Sequence, residues 1–249
     1  MRVSVVLTAI SIVAAVPAWA QTPATLARRT TLPAHVMCAD LLVSALPAPS
    51  LIIKGAHHSE MRVSMSRGDT AVVTRQPGDS LAVGQRYLVR RMPVGEQLGN
   101  LRNGGYVALQ TPGWLTITAL DDVNALARID YSCNALEPGD YLEPFAELAL
   151  PAPDAAVPAP DFTERVGILP GVDGRQMFAD GDTFSIARGL ADGVAAGARF
   201  AIYRDRKDGK PLVHIGEAIV VDPSSTSAKL LLMTTTDAVG TDDVAVPRR

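Results

Sequence analysis

Residues 68–91 of this chain are written a second time at 181–204. Gly68-Asp69-Thr70-Ala71-Val72-Val73-Thr74-Arg75 lies above Gly181-Asp182-Thr183-Phe184-Ser185-Ile186-Ala187-Arg188. Without a gap, Val83-Gly84-Gln85-Arg86-Tyr87-Leu88-Val89-Arg90-Arg91 then lies above Ala196-Gly197-Ala198-Arg199-Phe200-Ala201-Ile202-Tyr203-Arg204. A second block aligns Gly113 with Gly216 and runs ungapped until Asp140-Tyr141-Leu142-Glu143-Pro144 meets Asp243-Val244-Ala245-Val246-Pro247. The offset drops from 113 to 103 between the blocks, so the first copy carries an insertion of ten residues. It falls most simply within Pro93–Gly105, where Gly95, Gly99, Gly104 and Gly105 mark a loop. Ungapped matches on both sides of one insertion point to a duplicated module, and any fold must build that module twice.

Each copy reads as short strands between turns. In the first they fall near Thr70–Thr74, Arg86–Arg91, Tyr106–Gln110, Trp114–Leu120, Ala125–Tyr131 and Tyr141–Phe145. The counterparts are Thr183–Ala187, Arg199–Arg204, Leu212–Ile215, Glu217–Val221, Ala228–Met233 and Asp243–Val246. The repeated glycines Gly68, Gly84, Gly113, Gly181, Gly197 and Gly216 mark turns or close backbone approaches, since a residue without Cβ tolerates both. About six short strands in about 80–90 residues are too few for two large sheets, whereas closure into a small barrel removes exposed edges. The expected fold is therefore all-β: two tandem small β-barrel modules related by internal duplication and joined by a Pro-rich linker.

The linker is Pro151-Ala152-Pro153-Asp154-Ala155-Ala156-Val157-Pro158-Ala159-Pro160. Its prolines fix φ and remove donors, which predicts an extended spacer with few contacts between the copies, though module edges could still pair directly. At the other end, Arg2 precedes an uncharged apolar run from Val3 to Val16, and Pro17 breaks it before Ala18-Trp19-Ala20. That is the pattern of a secretory signal cut after Ala20. The run is short for a membrane span and has no basic flank after it. The expected layout is a signal peptide at 1–20, an N-terminal segment at 21–50, module one at 51–150, the linker at 151–162 and module two at 163–249. The expected location is periplasmic or secreted, with no transmembrane segment after cleavage.

With 47% apolar residues the chain can build a core, and with 5% aromatics that core must be mostly aliphatic. Removing Arg2 with the signal takes the net charge from −3 to −4. The pairs Arg28-Arg29, Arg90-Arg91 and Arg248-Arg249 are scattered and read as solubility or edge protection, so nucleic-acid binding is not expected. The two cysteines, Cys38 and Cys133, stand outside any C-x-x-C motif. In an oxidising compartment they predict one disulfide, tying the N-terminal segment to module one.

The run Gly84-x-Arg86-Tyr87-x-Val89-x-Arg91, followed by a glycine-led strand pair and Ala135-Leu136-Glu137-Pro138-Gly139-Asp140-x-Leu142-x-Pro144, resembles the C-terminal β domain of the flagellar assembly protein T. It is equally similar to the β modules that follow LysM domains in some bacterial envelope proteins. The resemblance covers about 66–146 and 179–248 and implies a periplasmic binding or assembly module without catalysis. The chain has no LysM sequence, so the peptidoglycan-binding part of that second architecture is missing.

No catalytic constellation is recognisable. His57 and His58 are adjacent, so on a strand they would point to opposite faces, and they sit in a turn-like Lys54-Gly55-Ala56-His57-His58-Ser59-Glu60. His35 and His214 have no partners at ligand spacing. There is no G-x-S-x-G elbow. Asp180-Gly181-Asp182 resembles half a calcium loop but lacks the distal ligands, and Arg67-Gly68-Asp69, its repeat partner, is better explained as a turn. No metal or cofactor is expected. Two function classes remain: a noncatalytic module that binds an envelope protein or peptidoglycan, and an envelope hydrolase whose site sequence does not reveal. The duplication favours the first, since two linked modules raise avidity.

Overall fold

The computed structural model of the chain describes residues 32–59, 61–75, 78–79, 81–94, 105–145, 148, 156–172 and 174–249. The signal-like segment, Arg28-Arg29, most of the inserted loop and the first half of the linker lie outside them. Among the described residues the structure is almost all β. One short helix, α1 (Ala34–Cys38), and the strand β1 (Leu41–Val43) come first. A first group of strands follows: β2 (Ile53–Ala56), β3 (Thr70–Thr74), β4 (Arg86–Arg91), β5 (Val107–Leu120), β6 (Asn124–Ser132) and β7 (Tyr141–Pro144). The second group is β8 (Val166–Leu169), β9 (Met177–Phe178), β10 (Thr183–Ile186), β11 (Arg199–Arg204), β12 (Val213–Pro223), β13 (Ala228–Thr235), β14 (Val239–Gly240) and β15 (Val244–Pro247).

The second group closes into a barrel in the order β10-β13-β12-β11-β15-β8, with β9 and β14 as a separate pair. The first forms a curled sheet in the order β2-β3-β6-β5-β4-β7, the same order strand for strand. Its two edges are drawn together by backbone bonds: Ile53 N donates to Asp140 O at 2.7 Å and Leu142 N to Leu51 O at 2.9 Å. The local bonds also correspond. Gly84 N donates to Ile117 O, and Gly197 N to Val220 O, both at 2.8 Å. Gly68 N reaches Ile129 O, and Gly181 N reaches Leu232 O, both at 2.9 Å. Gly84 and Gly197 share φ of +85°, a region that favours glycine.

The sequence suggested two strands on either side of Gly113 and two on either side of Gly216. Each pair is instead one long strand, β5 and β12. At Gly113 an added Cβ would lie 2.1 Å from Tyr131 O, and at Gly216 2.7 Å from Thr234 O. Glycine here admits a neighbouring strand's carbonyl. The long strands bend through bulges at matching places, Trp114/Leu115 and Ile117/Ala119 in β5, Glu217/Ala218 and Val220/Asp222 in β12. The strands β2 and β8 precede the aligned blocks and were not foreseen. The described end of the linker is not a free spacer: Pro160 bridges Arg248, and Arg248 Nη1 donates to Pro158 O at 2.7 Å.

Each sheet packs an aliphatic interior, including Val73, Val89, Leu115 and Ile129 in the first and Ile186, Ile202, Val220 and Leu230 in the second. Several strands are buried on both faces, β4 and β13 among them. In β4, Tyr87 and Val89 face the core while Leu88 and Arg90 face outward, yet all four are buried. In β13, Ala228, Leu230 and Leu232 face the core while Lys229 and Leu231 face outward and are buried too. The N-terminal segment lies along these outward faces. β1 adds to β5 in antiparallel register, Leu41 opposite Leu109. Leu32 and Val36 pack against Ile219 and Leu231 of the barrel, with Leu148. The expected disulfide is present: Cys38 and Cys133 are bonded, with Cα atoms 5.7 Å apart and a sequence separation of 95. The two sheets therefore do not hang apart on a linker. They are joined through the N-terminal segment and through the Arg90–Asp222 ion pair.

Candidate functional site

The junction between the curled sheet and the barrel holds the densest set of charged groups buried among the described residues. Arg90, on the outward face of β4, is fully buried. Its Nε donates to Glu143 Oε2 at 3.0 Å, its Nη1 to Thr111 Oγ1 at 2.5 Å, and its Nη2 crosses to the barrel to reach Asp222 Oδ2 at 2.5 Å. From β13, Lys229 Nζ lies 3.3 Å from the same Asp222 oxygen and donates to Ala39 O at 2.7 Å. Tyr141 OH donates to Glu143 Oε1 at 3.1 Å. Ser227 Oγ bonds Leu42 O, and Ser44 and Thr226 share a hydrogen bond of 2.6 Å. The N-terminal segment is thus stitched to the barrel by its backbone carbonyls and to the curled sheet by strand pairing.

Burial opposes ionisation of Asp222, Lys229, Arg90 and Asp40, and the charged partners outweigh it at Asp222 and Arg90 only. Burial works against ionisation of Asp222, but Arg90 and Lys229 outweigh it and hold the carboxyl below its usual range. Burial lowers Lys229, against the pull of Asp222. Burial also tends to lower Arg90, yet Asp222 and Glu143 raise it, so it stays charged. Asp40 is raised by burial, with Lys229 and Arg90 opposing. Two positive and two negative side chains, Arg90 and Lys229 with Glu143 and Asp222, balance within one connected network.

Above this floor a cleft of about 590 Å³ opens between the two sheets. Its walls are aliphatic, with Val36, Leu41, Leu88, Leu109 and Val221 prominent, and among the described residues no aromatic ring lines it. Glu143, Asp222 and Lys229 lie at its floor, and Ser224, Ser225 and Thr226 of the turn between β12 and β13 form one rim. A second cavity, about 380 Å³, lies on the other side of Lys229 and includes Asp40, Arg175 and Ser185.

The residues singled out from sequence lie elsewhere. The six repeat glycines sit at turns or at strand crossings within each sheet. His57 and His58 stack edge to face, 4.8 Å apart, on an exposed turn. His214 bonds Glu217 at 2.8 Å, and His35 Nε2 lies 3.3 Å from Gly181 O. Asp69 and Asp182 each accept from the backbone N three residues earlier, Ser66 and Ala179, which is a turn role. The reading of the arginine pairs as solubility or edge-protection groups is overturned at Arg90-Arg91. Arg90 is the hub of the junction; Arg91 holds Asp140 with two nitrogens and reaches Ala135 O, as Arg204 holds Asp243 and reaches Ala238 O. Arg248 pairs with Glu217.

A signal for the junction was present in the alignment. Arg91 and Asp140 recur as Arg204 and Asp243, within each module. The junction residues do not recur: Arg90, Glu143, Asp222 and Lys229 fall opposite Tyr203, Val246, Ala119 and Leu126. A charge at one aligned position where the other block has an apolar or aromatic residue marks a place where the two sheets have different surroundings. No protein-family model matches the chain, and no curated protein matches it.

Proposed function

We propose that the chain is an exported bacterial envelope protein, built from a duplicated β module, which acts without catalysis as a binding or assembly module. The partner favoured is a protein complex of the envelope, ahead of peptidoglycan. One observation carries the reading: at the floor of the cleft, Glu143 and Asp222 are both bonded to the buried Arg90, so the floor carboxylates serve to join the two sheets. Perturbed pKa values in a cleft are a mark of catalytic sites, but structural ion networks produce them as well. Here the four charges neutralise one another and join the two sheets. The repeat and the secretory pattern support the rest. Duplicated surfaces suit multivalent assembly, and the resemblance to envelope modules points the same way.

Site-specific photocrosslinking in the producing cell's envelope tests this, with the crosslinker at exposed Leu46 on the cleft rim or at exposed Val123 away from it. A discrete adduct of one envelope protein from one of these positions is expected. Sedimentation with purified sacculi tests the glycan alternative; protein that stays in the supernatant at all salt concentrations excludes it. Turnover of cell-wall substrate, lost on substituting Asp40 or Glu143, would overturn the noncatalytic reading in favour of an envelope hydrolase.

A further inference from the structure

We propose that the cleft between the curled sheet and the barrel binds one small amphiphile: an aliphatic tail held between the sheets, and a head that donates hydrogen bonds to the carboxylates at the floor. The inference is independent of which macromolecule the outer surface engages. The volume of about 590 Å³ falls within the range of small-molecule sites, about 300–1,000 Å³, and is too small for a folded partner to enter. The lining gives the chemistry of the tail. Val36, Leu41, Leu88, Leu109 and Val221 offer aliphatic contact, and the described lining has no ring on which a sugar or an aromatic ligand could stack.

The head follows from the floor. Asp222 receives both Arg90 and Lys229 on Oδ2, which leaves Oδ1 with acceptor capacity. Its side chain is 19% exposed and that of Glu143 is 32% exposed, and both residues line the cleft. Lys229 is 3% exposed and directed to Ala39 O and Asp222. The accessible charge of the floor is therefore that of carboxylates. It favours a hydroxyl, amide N–H or ammonium head and disfavours a carboxylate or phosphate.

The test uses the full chain after removal of co-purified lipid, with three probes of equal tail length below their critical micelle concentrations: N-decanoyl ethanolamine, decylammonium and decanoate. Native mass spectrometry reads stoichiometry and calorimetry reads affinity. One probe per chain is expected, with the ethanolamide and the amine at least about tenfold tighter than decanoate. Each methylene should change affinity about fourfold, so N-hexanoyl ethanolamine should bind about 200-fold more weakly. Val221→Trp fills the cleft and should abolish binding. Ala196→Trp gives a second reading from an exposed turn on the rim whose repeat counterpart already carries Val83, so it leaves the fold intact. Decanoate binding as tightly as the other two overturns the head assignment. Affinity that ignores tail length, or persists in Ala196→Trp with a normal circular dichroism spectrum, overturns the site.

Discussion

Replacing Arg90 by Met keeps most of the side chain's volume and removes its charge. Three hydrogen bonds disappear, to Glu143, Thr111 and Asp222, and two carboxylates lose their nearest counter-charge. Removing one partner of a buried ion pair costs about 3–5 kcal/mol, because the remaining charge stays desolvated. The lower end applies here. Glu143 keeps Tyr141 and is 32% exposed, and Asp222 keeps Lys229 at 3.3 Å. About 3 kcal/mol is a factor of about 150 in the folding equilibrium. At about 2–4 °C per kcal/mol for a protein of this size, the melting midpoint should fall by about 6–12 °C. The assay is denaturant unfolding followed two ways. Trp114, stacked on Tyr131 in the curled sheet, reports that sheet by fluorescence, and far-ultraviolet circular dichroism reports both halves. The two signals should coincide in the parent chain and separate in the variant, because the link between the halves is what was cut. A double-mutant cycle with Asp222→Ala should give a coupling above about 1 kcal/mol. A destabilisation below about 1 kcal/mol, or strict additivity in the cycle, refutes the assignment of Arg90 as the hub of the junction.

Cys133→Ser opens a loop spanning 95 residues and should cost up to about 4–5 kcal/mol in the chain-entropy model; intact mass with and without reductant shows whether the bond is formed in the parent. Acid titration of stability should have two phases of opposite sign. Asp40, raised by burial, contributes a cost at neutral pH that is relieved as pH falls through its folded pKa above 3.8, while Asp222, held below 3.8, contributes stability that is lost as pH falls through its folded pKa. Asp40→Asn should remove the first phase and Asp222→Asn the second, read by denaturation midpoints across pH. Gly113→Ala places a Cβ 2.1 Å from Tyr131 O and should destabilise by about 1–3 kcal/mol or more, whereas Gly167→Ala, with nothing within 4 Å, should be near neutral by thermal melts.

The strands inside the aligned blocks were legible because their apolar spacing and turn glycines recur together. Arg86–Arg91 and Arg199–Arg204 keep their predicted limits as β4 and β11. Legibility failed where one residue type serves two physical ends. Gly113 and Gly216 look like turns, but their lack of a Cβ admits the carbonyls of Tyr131 and Thr234, and the strands run on through them. β2 and β8 escaped because Ile-Lys-Gly-Ala and Val-Gly-Ile-Leu carry no alternation and no shared residue in register. The disulfide could be read from cysteine count, since two cysteines allow one pairing. The junction could not be read from either module alone. A pair of adjacent arginines on a strand must face opposite ways, and which of them is buried depends on what covers the outer face. Only the mismatch between the copies, Arg90 against Tyr203 and Lys229 against Leu126, carried that information.

The order in which the chain is made bears on how the N-terminal segment is held. Residues 32–44 are synthesised before either sheet exists. Their partners arrive late: Cys133 follows Cys38 by 95 residues, Thr226 follows Ser44 by 182, Ser227 follows Leu42 by 185, and Lys229 follows Ala39 by 190. The early segment can thus pair with β5 once the first sheet is made, but its bonds to the barrel come last. Contacts of such long separation return nothing until the intervening loop has closed. Each sheet can collapse on its own local turns, and the early segment, paired with the first sheet through β1 and β5, closes the seam once the barrel is complete. A truncation anywhere before β13 leaves that seam open and exposes the apolar outer face of β4, with Leu88, to other chains. Full synthesis of the second half is thus what allows the first half to be covered.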